Sequence, residues 1–265
     1  MAHHALARLL TSLILVALST MAAADTASDL LNLHRMRLAA HGSLGNFYML
    51  NAMEGDQRYV SLIAASRQSA ADSLARMGEM PGEQSSQLKT RLDSQWQDYA
   101  QELESLSGKL SKSGFIDLEP AADLSARNRE LLETAEQLYG KIQEESGTQV
   151  PPLTQQSREQ SLLMQTIAAD YVQRNATVGA TPSGAEERAL EDLANRFAIN
   201  LVRLQQAEQT TPVIGEALRS VDITWRYLEK TLRDKGSLPL LVHKYSDRII
   251  ENLETAAALY AASQS

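Results

Sequence analysis

Apolar residues recur at spacings of three and four along nearly the whole chain, the period of an amphipathic helix. Leu88, Leu92, Trp96, Tyr99 and Leu103 form one such stripe. Leu218, Val221, Trp225, Leu228 and Leu232 form another. Leu131, Leu132, Ala135 and Leu138 give a third, and Ile249, Ile250, Leu253, Ala256 and Leu259 a fourth. No stretch shows the sustained alternation of a half-buried strand, and β-branched clusters are few. Breakers divide the pattern into predicted helices at about 26–53, 57–78, 83–110 and 121–145, then at about 154–175, 185–208, 212–234 and 241–262. Glu54-Gly55-Asp56 interrupts the first pair, and Gly78 with Pro81-Gly82 ends the second helix. Ser111–Pro120 and Val178–Gly184 are predicted loops. Thr211 and Pro212 suit the N-cap and N1 positions of the seventh helix. Pro239 marks the last turn. Gly147–Pro152 predicts a domain linker, because proline lacks an amide hydrogen and restricts the residue before it.

The two halves of this pattern share sequence. LDSQWQDYAQEL (92–103) aligns with VDITWRYLEKTL (221–232), which puts Trp96 on Trp225 and Asp93 on Asp222; these are the chain's two tryptophans. LETAEQLY (132–139) aligns with LETAAALY (253–260), which puts Tyr139 on Tyr260. Leu74–Met77 aligns with Leu201–Leu204. The offsets are 129, 121 and 127 residues, too long for a solenoid repeat and the size of a small domain. The expected fold is all-α: two tandem four-helix bundles of a duplicated unit, at 25–147 and 153–265. Trp96, Trp225, Tyr139 and Tyr260 are expected in the cores. Asp93 and Asp222, one turn before each tryptophan, are expected to meet arginines on neighbouring helices.

Residues 1–24 have the form of a secretory signal: a short basic start with Arg8, an apolar run Leu9–Leu18, and Ala22-Ala23-Ala24 before a cut at Ala24/Asp25. The apolar run falls short of the roughly 20 residues that span a bilayer. The expectation is a periplasmic protein that does not span the membrane after signal cleavage. With no cysteine there are no disulfides, and stability must come from burial. Loss of Arg8 with the signal takes the net charge from −8 to −9, and the arginines form no stripe, which argues against nucleic acid.

The sequence offers little for catalysis. It has no cysteine nucleophile, haem-attachment motif, His-Glu-x-x-His, glycine-rich phosphate loop or Gly-x-Ser-x-Gly elbow. We therefore expect a non-enzyme with no catalytic residues and no cofactor. His34 and His41, with Met36, Met49 and Met53 nearby, suggest copper by residue type. Seven residues span about 10 Å of helix, too far for one ion, so no metal is expected. Arg35, Arg37 and Arg158 are candidates for a small anionic ligand, since guanidinium groups hold planar oxyanions in bidentate fashion.

An Asp-x-x-Trp helix, a following helix that ends in an apolar-Tyr pair, and a polar first helix bearing Arg and Gln together resemble the PilJ/NarX-like sensory module. This is the periplasmic N-terminal domain of type IV pilus chemotaxis transducers and of nitrate/nitrite sensor kinases. In REQSLLMQTIAADY (158–171), Gln165, Ala168 and Tyr171 match the first-helix pattern of that family. In the first half, Arg37, His41 and Phe47 fall at the corresponding Arg, Gln and Tyr places. The resemblance spans most of 30–262. It implies ligand binding through the first helices, with Gln165 beside the arginines, and coupling to a membrane receptor or pilus-associated protein. Ser161 stands where the family's second-half arginine would be, so nitrate is not carried over. The chain is expected to act as a sensory module without its own transmembrane signalling part. The alternative is a periplasmic adaptor or scaffold that binds other proteins through its helical surfaces.

Overall fold

The computed structural model describes residues 2–114, 116–176, 184–233 and 238–263, with only the backbone for 2–24, 176 and 184–187. Among the described residues the chain is all-helical, with eight helices and no strand. They are α1 (Ala2–Ala52), α2 (Gln57–Ala75), α3 (Glu83–Ser113), α4 (Leu118–Ser146), α5 (Pro152–Ala176), α6 (Gly184–Gln206), α7 (Pro212–Arg233) and α8 (Pro239–Ser263). No helix of the described residues is long and apolar enough to cross a membrane. The side chains of the expected signal, 1–24, and the expected loop at 178–183 lie outside the described residues.

Local chemistry sets the helix ends. Gly147 caps α4 in the left-handed region (φ 69°), and its N–H donates to the Gln143 carbonyl at 3.0 Å. Pro152 then opens α5 at N1, where a missing amide costs nothing. Thr211 accepts from the Ile214 N–H at 3.4 Å, the N-cap bond expected ahead of Pro212. The predicted loop 111–120 is shorter than expected. Pro120 sits inside the first turn of α4, where amides have no helical partner anyway. α2 stops at Ala75 rather than Gly78, because the Gly78 N–H donates instead to Asp29 of α1, at 2.9 Å.

Burial falls into two clusters. The first draws on α1–α4, with Leu33, Phe47, Leu92, Trp96, Tyr99, Leu131 and Leu138, and takes Val172 from α5. The second draws on α5–α8, with Met164, Tyr171, Phe197, Val221, Trp225, Leu253 and Tyr260. Trp96, Trp225, Tyr139 and Tyr260 are all buried. Trp225 lies 4.3 Å from Phe197 between ring centroids, but its indole Nε1 has no hydrogen-bond partner, contrary to the usual rule for buried tryptophans. Asp93 and Asp222 find their cations on their own helices. Lys89 contacts Asp93 at 2.7 Å and Arg226 contacts Asp222 at 2.8 Å, so the expected cross-helix arginine pairs do not form. Residues four positions apart share one helix face and come within reach of each other.

α1 packs along α5, and this seam joins the two clusters. It is lined by small residues. A Cβ on Gly42 would meet the Gln165 side chain at 3.6 Å, and one on Gly45 would meet it at 3.5 Å. Gln165 therefore lies against bare α1 backbone. α8 flanks α5 on one side of the seam, and α4 flanks α1 on the other.

Candidate functional site: the seam between α1 and α5

Four helices converge on a polar cluster at this seam. His34 of α1 is 1 % exposed, and its Nε2 lies 2.8 Å from Glu254 Oε1 of α8. Burial pushes the His34 imidazole below its ordinary value, against the pull of Glu254. Burial alone would raise Glu254. The hydrogen bonds from His34 and Ser161 and the Arg158 charge outweigh it and hold the carboxyl below the usual range. A neutral His34 donating to an ionised Glu254 satisfies both.

Arg158 of α5 completes the cluster. It is 8 % exposed, its charge acts on both Glu254 and His34, and it hydrogen-bonds the Tyr139 hydroxyl of α4. Tyr139 in turn donates to Gln155 Oε1 at 2.6 Å. One guanidinium nitrogen, Arg158 Nη1, is buried and has no partner. Leaving such a donor unpaired costs about 1–3 kcal/mol, more for a charged group.

Arg158 opens onto a groove of ≈ 870 Å³ between α1 and α2 on one side and α5 and α8 on the other. Arg35 and Gln165 line the same groove, with Leu31, Leu38, Leu62, Ile250, Ala257 and Ala258 as apolar wall. Three of the four candidate ligand residues are thus brought together. One end is closed by His243, whose Nε2 lies 2.8 Å from Asn46 Oδ1 and whose ring stands edge-on to Tyr59 at 5.7 Å. Asp247 sits there too, 3.3 Å from His243 Nδ1.

Arg37 is the exception and corrects the expected set. It lies across α1 from Arg35 and lines a second groove, of ≈ 320 Å³, with His41, Tyr48, Arg129, Glu133, Glu136 and Asp170. Residues two apart on a helix point in opposed directions, so Arg35 and Arg37 cannot share a site. Arg37 contacts Glu136 at 3.5 Å, but that carboxylate is 74 % exposed, so the pair is weak. His41 also lines this groove, away from His34. Burial pushes it down to about 4, with Arg37 adding to the effect. Three carboxylates face two arginines here, which disfavours an anion.

Sequence reasoning missed Glu254, His243 and Asn46, and considered His34 only as a metal ligand. A signal for Glu254 was available. The repeated LETA places Glu133 and Glu254 at matching positions, and each lines one of the two grooves.

Comparison with protein-family models, with curated proteins and with solved structures finds no match to this chain.

Proposed function

We propose that the chain is an exported sensory module that binds a small anion in the groove between α1/α2 and α5/α8. Its architecture on this reading is two tandem four-helix bundles of a duplicated unit, 25–147 and 153–265, of the PilJ/NarX-like kind, behind a signal peptide at 1–24. The two burial clusters, which apart from Val172 fall on either side of the Gly147–Pro152 connection, support the duplication. So does the burial register of the two first helices. Leu33/Ser157, His34/Arg158, Met36/Gln160, Ala40/Met164 and Phe47/Tyr171 stand at one constant offset, and every member is buried.

The observation that carries the ligand reading is the unpartnered Nη1 of buried Arg158, which lines a groove that Arg35 also faces. A bound oxyanion would satisfy that donor. Its arrival would also bear on Glu254 and His34, which bridge the two halves. A ligand that favours one packing of α1 on α5 thereby shifts the population that a membrane receptor or pilus-associated partner reads. A thermal-shift panel of small oxyanions and carboxylates tests this. Arg158→Lys and Arg35→Ala should shrink any stabilisation, and Arg37→Ala should leave it. Stabilisation by cations alone, or indifference to Arg158 and Arg35, would refute the site.

A second reading, an adaptor without a small ligand, draws on one observation. Ile223 and Tyr227, one turn apart on α7, are 67 % and 69 % exposed. It expects a silent panel.

A further inference from the structure

Resting on that anion reading, we infer that the ligand of the larger groove is a monocarboxylate with an extended apolar body, rather than an inorganic oxyanion. Two arginines line the groove, Arg158 buried and Arg35 exposed. Arg158 Nη1 has no partner, and Arg35 forms no ion pair among the described residues. Glu254 is already engaged by His34 at 2.8 Å, and Asp247 lies 3.3 Å from His243 Nδ1 at the far end of the groove. At the Arg158 end, Arg35, Arg158 and Glu254 leave one positive charge, which a single carboxylate neutralises; the groove's other carboxylate, Asp247, lies at the His243 end. At that end a dianion would overshoot, and a cation would meet repulsion.

Size and wall chemistry decide the rest. Lining positions on α1 run from Leu31 to Asn46, about 22 Å of helix at 1.5 Å per residue. An inorganic oxyanion would fill a small part of ≈ 870 Å³ and leave the apolar wall wet. Past the arginines, toward His243, the apolar part of the wall is Leu38, Ala39, Leu62, Ala65 and Ile250, with Ser66, Ser69 and Gln165 beside it. Glu254 and Asp247 are seven residues apart on α8, so about 10 Å of this wall separates the cationic end from Asp247. A few polar groups at one end of an apolar groove of this volume is the usual form of a small-molecule site. The carboxylate would sit at Arg158 and Arg35, and the apolar chain would lie against Ala39, Ala65 and Ile250.

The experiment is calorimetric titration of the purified chain with acetate, butanoate, hexanoate and octanoate, with nitrate, octan-1-ol and octylammonium alongside. Each two-carbon step should tighten Kd by roughly tenfold, from about 0.8 kcal/mol per buried methylene, until the groove is full. The alcohol and the ammonium compound should bind at least tenfold more weakly than octanoate. Arg158→Lys should weaken every carboxylate. Ala65→Phe, on the exposed side of α2, fills the wall without touching a charge. It should abolish the length dependence and leave acetate unchanged. If acetate and octanoate bind alike, or nitrate binds tighter than octanoate, the groove reads charge alone: this inference falls and the anion reading stands. If no carboxylate or oxyanion binds, both fall.

Discussion

His41→Gln should remove much of the chain's sensitivity to acid. His41 of α1 lines a groove with Leu44, Asn128 and Leu132, and with Arg37, Arg129, Glu133, Glu136 and Asp170. Burial, then the Arg37 charge, hold its pKa at about 4, against 6.5 for an unperturbed imidazole. The sign follows from proton counting. Between pH 6.5 and 4 the unfolded chain binds a proton at this site and the folded chain does not. Stability therefore falls as pH falls through that window. A separation of about 2.5 units corresponds to about 3 kcal/mol by pH 4. That is an upper bound, because the groove admits water. Asp170 works in the opposite direction. Burial raises its carboxyl, so the folded state gains stability as pH falls toward the carboxylate range. Only the difference between the two proteins isolates the histidine. Glutamine is the replacement of choice because Gln165 holds the corresponding place on α5. Urea unfolding at pH 7.5 and 4.5 measures the effect. At pH 4.5 the substituted protein should recover about 2–3 kcal/mol relative to the unmodified one, a midpoint shift of roughly 1 M for typical urea slopes. If the two stability profiles run parallel over this range, His41 titrates alike in both states, and its buried, Arg37-facing environment is wrong.

Three further outcomes follow from the packing. Trp225→Ala should cost about 3–5 kcal/mol, whereas Tyr227→Ala, two residues on and exposed, should stay within about 0.5 kcal/mol; equal melting temperatures would remove Trp225 from the core. Glu254→Gln should lose about 1–3 kcal/mol at neutral pH and flatten the stability profile below the ordinary carboxylate range, since a depressed pKa gives stability that is lost as pH falls through it; an unchanged urea profile would mean the His34 bond is not formed. Gly42→Ala places its Cβ at ordinary contact distance from Gln165 and should be neutral or stabilising by up to about 1 kcal/mol, while Gly42→Phe should lower the melting temperature by wedging the seam; a costly alanine would mean that α1 and α5 lie closer than 3.6 Å at that point allows.

Helix identity was legible because a 3.6-residue period repeated over twenty residues leaves little choice. Trp96 and Trp225 could be placed in cores because each sits mid-stripe among leucines. Helix ends were less legible. α2 ends early because Gly78 bonds Asp29, a partner 49 residues away that no local pattern encodes. The site was half legible. Arg35, Arg158 and Gln165, singled out by residue type and resemblance, line one groove, yet Arg37 was grouped with them although helix geometry alone sets it on the other face. The His34–Glu254 bond joins residues 220 apart and exists only because α8 returns against α5 at the seam. Such a pair follows from how helices pack, which single-helix periodicity does not determine.

The proposed duplication also explains why the two grooves should differ in use. Equivalent packing puts one groove on each side of the seam, with Glu254 in one and Glu133 in the other. The core pairs keep their character: Trp96 with Trp225, Tyr139 with Tyr260, Phe47 with Tyr171. The seam pairs do not: His34 stands opposite Arg158, Arg37 opposite Ser161, and His41 opposite Gln165. Core pairs are held by volume, which either half needs equally. Each seam pair has at least one member on a groove, Arg158 and Gln165 on one and Arg37 and His41 on the other, whereas His34 and Ser161 are buried. On one side that exchange leaves a buried arginine with an unused donor beside an engaged carboxylate. On the other it leaves three carboxylates around two arginines. On the proposed reading, two equal grooves would give an anion no reason to prefer either, and the asymmetry at these three pairs would direct it to the α8 side.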